Sequence, residues 1–143
     1  MTMAEVEADV LRDLRELGDE MSCYAYLIGC AREERGYPEE LRREQYRIKD
    51  CQGMTWAAAH WESGRLYFRG DSDSLIVKGA LAILEELYDG RTRREIDGCR
   101  VCLLQDEAFI RFFTPEQARG LHAVLAVIQA ARPVGSALPR REG

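Results

Sequence analysis

The chain has 143 residues, 46% of them hydrophobic and 31% charged, with a net charge of −5. That length suits one domain with a core large enough to need no disulfide staples, and the acidic balance excludes a basic nucleic-acid footprint. No apolar run approaches the roughly 20 residues of a membrane span, and the acidic start Met1-Thr2-Met3-Ala4-Glu5 lacks the basic and apolar regions of a signal peptide, so a cytoplasmic protein with neither a membrane nor a nucleic-acid partner is expected.

Residues 3 to 17 read as an amphipathic helix, because Val6, Val10, Leu14 and Leu17 recur at three- and four-residue steps. Gly18 ends it, and Asp19 caps a second helix to about Glu34, with Tyr24, Leu27, Ile28 and Ala31 as its apolar face. Gly36-Tyr37-Pro38 breaks the pattern. The charged stretch from Glu39 to Glu44 is expected to make a helical turn before Tyr46-Arg47-Ile48 becomes extended. Lys49-Asp50-Cys51-Gln52-Gly53 has the composition of an exposed loop.

Met54 to Trp61 reads as a strand, Ser63-Gly64 as a tight turn, and Arg65 to Arg69 as the second arm of a hairpin. Gly70-Asp71-Ser72-Asp73-Ser74 is expected to leave the strand and cap a third helix, with Asp71 and Asp73 as capping carboxylates. That helix, Leu75 to Leu87, is apolar on most sides and so should be the central one. Asp89-Gly90 stops it. Thr92 caps a short helix to Ile96, and 99 to 113 reads as a loop with a short helix. Thr114-Pro115-Glu116-Gln117 opens a last helix to about Ala131, which leaves a tail expected to be disordered from 133 to 143. The expected class is α+β: one domain over 1–132, with helices packed on a small antiparallel sheet of about three strands.

The five cysteines, Cys23, Cys30, Cys51, Cys99 and Cys102, are an odd number, which argues against a disulfide framework in a reducing compartment. Cys23 and Cys30 read as small apolar packing residues. Cys51 is the one with polar neighbours on both sides in a loop that leads into a strand, where a thiol can be reached. His60 and His122 stand alone in sequence. Trp56 and Trp61, five apart in one strand, should face opposite sides, one in the core and one partly exposed.

Two blocks carry a resemblance. Arg47-Ile48-Lys49-Asp50-Cys51-Gln52-Gly53-Met54-Thr55-Trp56 is similar to the signature of the SufE family of sulfur acceptors, a Gly-Cys-Gln-Ser stretch followed two residues later by Trp. Gly70-Asp71-Ser72-Asp73-Ser74-Leu75-Ile76-Val77-Lys78-Gly79 resembles the family's second block. Weaker matches keep the same order at Tyr24 to Ile28, at Leu87-Tyr88 with the helix after Thr92, and at Thr114-Pro115 with Gly120-Leu121.

The resemblance implies an IscU-like fold and a sulfur carrier. Cys51 would take persulfide sulfur from a SufS-like cysteine desulfurase and pass it to a downstream iron–sulfur scaffold. Such a protein stimulates its partner enzyme instead of acting alone, and it holds no cofactor, because the pyridoxal phosphate belongs to the desulfurase. Asp50, Gln52, Asp73, Lys78 and Arg119 are the candidate partner-binding residues.

The chain departs from the family pattern at three places. Asp50 replaces the Gly before the cysteine and opposes thiolate formation; Gly53 replaces the Ser; Gln117 stands at the family arginine position. Two other readings stay open. Cys99-Arg100-Val101-Cys102 could join Cys51 in a metal or iron–sulfur scaffold, although one Cys-x-x-Cys pair falls short of the four ligands of a closed site. The altered motif also allows a regulator of a desulfurase that carries no sulfur.

Overall fold

The computed structural model describes residues 1–33, 36–49 and 53–133. Helix α1 (Met3–Leu17) opens on a capping box in which the Thr2 hydroxyl accepts from the Glu5 N–H and the Glu5 carboxylate accepts from the Thr2 N–H. Its inner stripe is Met3, Val6, Val10 and Leu14. Helix α2 (Glu20–Arg32) is capped by Asp19 and buries Cys23, Leu27 and Ala31. The charged stretch that follows forms two short 3-10 turns, Glu39–Leu41 and Glu44–Tyr46, in place of the single helical turn expected from its composition.

Strands β1 (Thr55–Glu62) and β2 (Arg65–Ser72) form an antiparallel hairpin, with Thr55 opposite Ser72 and Glu62 opposite Arg65. Its turn residues Ser63 and Gly64 both have positive φ, the backbone that matches the strands' twist. Leu66, Phe68 and Gly70 of β2 are buried while Arg65 and Tyr67 are exposed, the alternation of a strand with one covered face. Strand β2 runs three residues beyond Arg69, so Gly70, Asp71 and Ser72 belong to the sheet.

Helix α3 (Leu75–Tyr88) is the central element, packed against α2 on one side and β2 on the other. Its cap is Ser74, whose hydroxyl accepts from the Val77 N–H. This corrects the expectation that Asp71 and Asp73 cap the helix: the Asp71 carboxylate pairs with Arg42, and Asp73 is exposed at the end of the hairpin. Short helices α4 (Arg93–Asp97) and α5 (Glu107–Ile110) lead to α6 (Pro115–Gln129), which packs on β1. Strand β3 (Arg132–Pro133) then pairs parallel with β1, giving the order β2-β1-β3. The α+β class holds, but the sheet is mixed instead of wholly antiparallel, because the chain reaches β1's free edge through α6 and arrives in β1's own direction. Pro133, expected in the tail, therefore pairs in the sheet; the tail from 134 lies outside the described residues. Among the described residues no helix is long and apolar enough to cross a membrane.

The α2–α3 contact is unusually close at Gly79, where an added Cβ would stand 2.1 Å from the Leu27 carbonyl oxygen. Only a residue without a side chain permits that approach. Gly79→Ala should therefore cost about 3 kcal/mol, the upper end of overpacking penalties. Gly29→Ala, with nothing within 4 Å of its new methyl, should be neutral or stabilising by under about 1 kcal/mol. Urea unfolding of the two variants beside the parent chain checks the contrast.

Candidate functional site

The segment that carries Cys51 lies in sequence between Ile48 and Thr55, whose backbones meet. The Ile48 N–H donates to the Thr55 carbonyl at 2.8 Å, and Arg47 bridges Trp56. On the far side, the Asp73 N–H donates to the Met54 carbonyl at 3.0 Å. The Thr55 and Ser72 hydroxyls lie 3.1 Å apart, and Ser72 Oγ accepts from the Ser74 N–H. Both ends of the span are thus fastened to the open end of the hairpin. Asp50, Cys51 and Gln52, three of the residues singled out in the sequence, lie outside the described residues. Their described neighbours Lys49 and Gly53 are both exposed.

Gly53 has φ of 79°, in the region that favours glycine, and a Cβ there would stand 2.8 Å from Asp73 Oδ1. The chain's Gly at this position, where the family pattern has Ser, therefore meets both a backbone and a packing requirement. Asp73, exposed at the end of the hairpin, sets its carboxylate against this glycine.

Asp71 organises the shoulder behind the span. It is buried, and its carboxylate receives a short hydrogen bond from Arg42 Nη2 on Oδ2, while Lys78 Nζ of α3 lies 3.6 Å from Oδ1. The Arg42 guanidinium also sits over two rings, 5.1 Å from the Tyr37 centroid and 5.9 Å from that of Trp56. Its hydrogen bond to Asp71 raises the Arg42 pKa further, so the cation is permanent. Tyr37 donates its hydroxyl to the Leu41 carbonyl, and burial pushes its pKa up, so the ring stays neutral under the guanidinium. Trp56 is the partly exposed tryptophan of β1; Trp61, on the opposite face, is buried with Arg93 over its ring.

The structure therefore brings Asp73 and Lys78 to one end of the hairpin, next to the Cys51-bearing span. Arg119 is exposed on α6, a different element. Gln117 completes the cap of α6: its side chain accepts from the Thr114 N–H while the Thr114 hydroxyl accepts from the Gln117 N–H. The residue at the family arginine position is thus used within the helix start. Sequence reasoning missed Tyr37 and Arg42. Arg42 stood in a run of charges, and its partner Asp71 lies 29 residues on, so no local spacing marked the pair.

The other cysteines occupy different places. Cys23 is fully buried, with Sγ toward the Leu14 carbonyl at 3.4 Å. Cys30 is half-buried beside Glu33 and Glu86, and burial followed by those carboxylates pushes its pKa up to about 11. Cys99 is half-buried and Cys102 exposed. Burial, then Glu7, raises the Cys99 pKa, and the same Glu7 accepts the Cys102 N–H at 2.7 Å. Among the described residues, no group of three or more His, Cys, Asp or Glu side chains is placed to hold a metal ion.

Comparison with known proteins agrees with this architecture. Residues 8–132 match the family SufE, Fe-S metabolism associated domain. The chain belongs to the SufE family. It is 31% identical over 110 residues to the sulfur acceptor protein CsdE of Escherichia coli strain K12, covering 76% of this chain and 75% of that one. A solution structure of a hypothetical protein from Thermus thermophilus shares the fold, with a TM-score of 0.70 at 22% identity, over 87% of this chain and 91% of that one.

The raised Cys30 pKa has a pH consequence. A thiol whose folded pKa lies above its unfolded value favours the folded state fully below the unfolded pKa, and that contribution is lost as pH rises toward the folded one. Stability should therefore fall between the ordinary thiol value of 9.0 and about 11, and Cys30→Ala should flatten part of that fall in thermal melts across the range. At pH 8, peptide mapping after brief iodoacetamide treatment should show Cys102 modified well before Cys30.

Proposed function

We propose that this chain is a sulfur acceptor that works with a SufS-like cysteine desulfurase and takes up sulfane sulfur on Cys51. The observation that carries the reading is the anchored span. The family's cysteine position falls between two backbone clamps at one end of a hairpin, on a stretch whose described flanks, Lys49 and Gly53, are exposed. An acceptor of this kind needs a rigid frame for docking and a thiol that a partner's persulfide can reach.

The chemistry is an exchange without net oxidation. Cys51 loses its proton, and the thiolate attacks the terminal sulfur of the desulfurase persulfide. The S–S bond of that persulfide breaks, the desulfurase cysteine leaves as a thiolate, and Cys51 becomes the persulfide. A second exchange with a downstream iron–sulfur scaffold returns the Cys51 thiol. The pyridoxal phosphate that liberates sulfur from free cysteine belongs to the desulfurase, and the chain supplies the nucleophile and the docking surface, in the cytoplasm. Asp50 raises the cost of ionisation by like-charge repulsion. Cations on the desulfurase, or Lys49, would offset it.

The remaining cysteines support the assignment by exclusion of roles. Cys23 is sealed in the core, and the thiols of Cys30 and Cys99 are held in their protonated form by burial and by nearby carboxylates. Cys102 is exposed but lies outside both blocks of the family signature.

Incubation with a SufS-like desulfurase and free cysteine, followed by intact-mass and peptide mass spectrometry, should show the added mass of one sulfur atom on the Cys51 peptide. Cys51→Ser should abolish both that gain and most of the stimulation of the desulfurase. A Cys51→Ser protein that stimulates fully would favour the regulator that carries no sulfur. Sulfur found on Cys102 with Cys51 unmodified would move the acceptor role.

A further inference from the structure

We propose that Arg42 is a positioning residue for sulfur transfer, fixing the arm that enters the Cys51-bearing span by joining Tyr37, Trp56 and Asp71 in one stack. This rests on the sulfur-acceptor reading and adds a residue that lies outside both signature blocks.

The arm from Gly36 to Lys49 contains two short 3-10 turns and no strand. Such a segment has no ladder to hold it, so its placement depends on side chains and on the bonds at its end. Its end is fixed by Arg47 and Ile48 on β1. Its middle is fixed at Arg42. The guanidinium lies over the Tyr37 ring from its own arm and over the Trp56 ring of β1, donates to buried Asp71 of β2, and approaches Glu39 Oε2 at 3.3 Å through Nε. The tyrosine and tryptophan rings are 6.5 Å apart between centroids, so one cation touches both. Asp71 is in turn held by Lys78 of α3. One side chain therefore ties the arm to β1 and β2 directly, and to α3 through a shared carboxylate.

The chemistry demands arginine. A planar guanidinium can lie over rings with its faces while its edge donates in a fixed fork; an ammonium of equal charge cannot do both. That difference separates a geometric role from a purely electrostatic one. If Arg42 acted only through its positive charge, lysine would replace it. If it positions the arm, lysine fails as methionine does.

The test titrates the parent chain, Arg42→Lys and Arg42→Met against a SufS-like desulfurase at saturating cysteine. It reads the acceptor concentration for half-maximal stimulation, the maximal rate and the sulfur gained on Cys51; circular dichroism gives the folded fraction of each protein. Both variants should stay folded, raise the half-saturating concentration about fivefold or more and change the maximal rate less than twofold, the signature of a docking geometry no longer held in advance. A loss of folded material would scale the half-saturating concentration only by the folded fraction, and Arg42→Lys, which keeps the ion pair's charges, supplies the reading if Arg42→Met unfolds. Arg42→Lys behaving as the parent overturns the proposal, because charge alone then suffices. A parent chain that gains no sulfur on Cys51 overturns the acceptor reading and this proposal with it, whereas a parent that gains sulfur beside unaffected variants overturns this proposal alone.

Discussion

The buried carboxylate of Asp71 is the interaction on which the site's geometry depends. It closes β2, receives Arg42 from the arm before the hairpin, and faces Lys78 on the central helix. Three separate stretches of chain meet at one charge. Taking a carboxylate out of water is costly unless cations and hydrogen bonds replace the lost solvation, so the pairings of Asp71 are coupled: losing one cation raises the cost of keeping the carboxylate buried. An ion pair of this kind adds little net stability over an apolar substitute. Its effect is to allow one arrangement of its partners and to disfavour others.

Behind that shoulder the fold provides a stiff base. Helix α3 is wedged between α2 and the sheet, and the Gly79 contact brings its backbone against Leu27. Strand β1 sits in the middle of the sheet, paired on both edges. The clamps that hold the Cys51-bearing span are attached to this base: Ile48 and Thr55 on the β1 side, Asp73 and Met54 on the β2 side.

Much of this was legible from residue order. Local signals placed the helices well, because caps at Asp19, Thr92 and Thr114, with Pro115 at the first turn, specify where helices begin whatever surrounds them. The Ser63-Gly64 turn likewise fixed the hairpin register. Non-local pairings were not legible. The parallel strand β3 is two residues long and carries no periodicity; it exists because α6 delivers it to the edge of β1. Asp71 and Asp73 looked like caps, since carboxylates before an apolar helix usually are, but Ser74 takes that place; Asp71 pairs with Arg42 far along the chain, and Asp73 is exposed beside Gly53. Arg42 was hidden for the same reason. The family resemblance was legible in the motif blocks, and the SufE match shows it to be membership, while the clamps at Ile48 and Asp73 became visible only through the pairing of the strands.

The central claim is that both ends of the Cys51-bearing span are pinned to the hairpin. Native-state hydrogen exchange at the Ile48 and Asp73 amides tests it most directly, because these N–H groups form the two clamps. The account predicts that both amides are protected about a hundredfold or more over the unstructured rate, comparable to the β1–β2 ladder, and that both lose protection in Asp71→Asn while the ladder's interior keeps it. Exchange of both at the unstructured rate in the parent chain would contradict it.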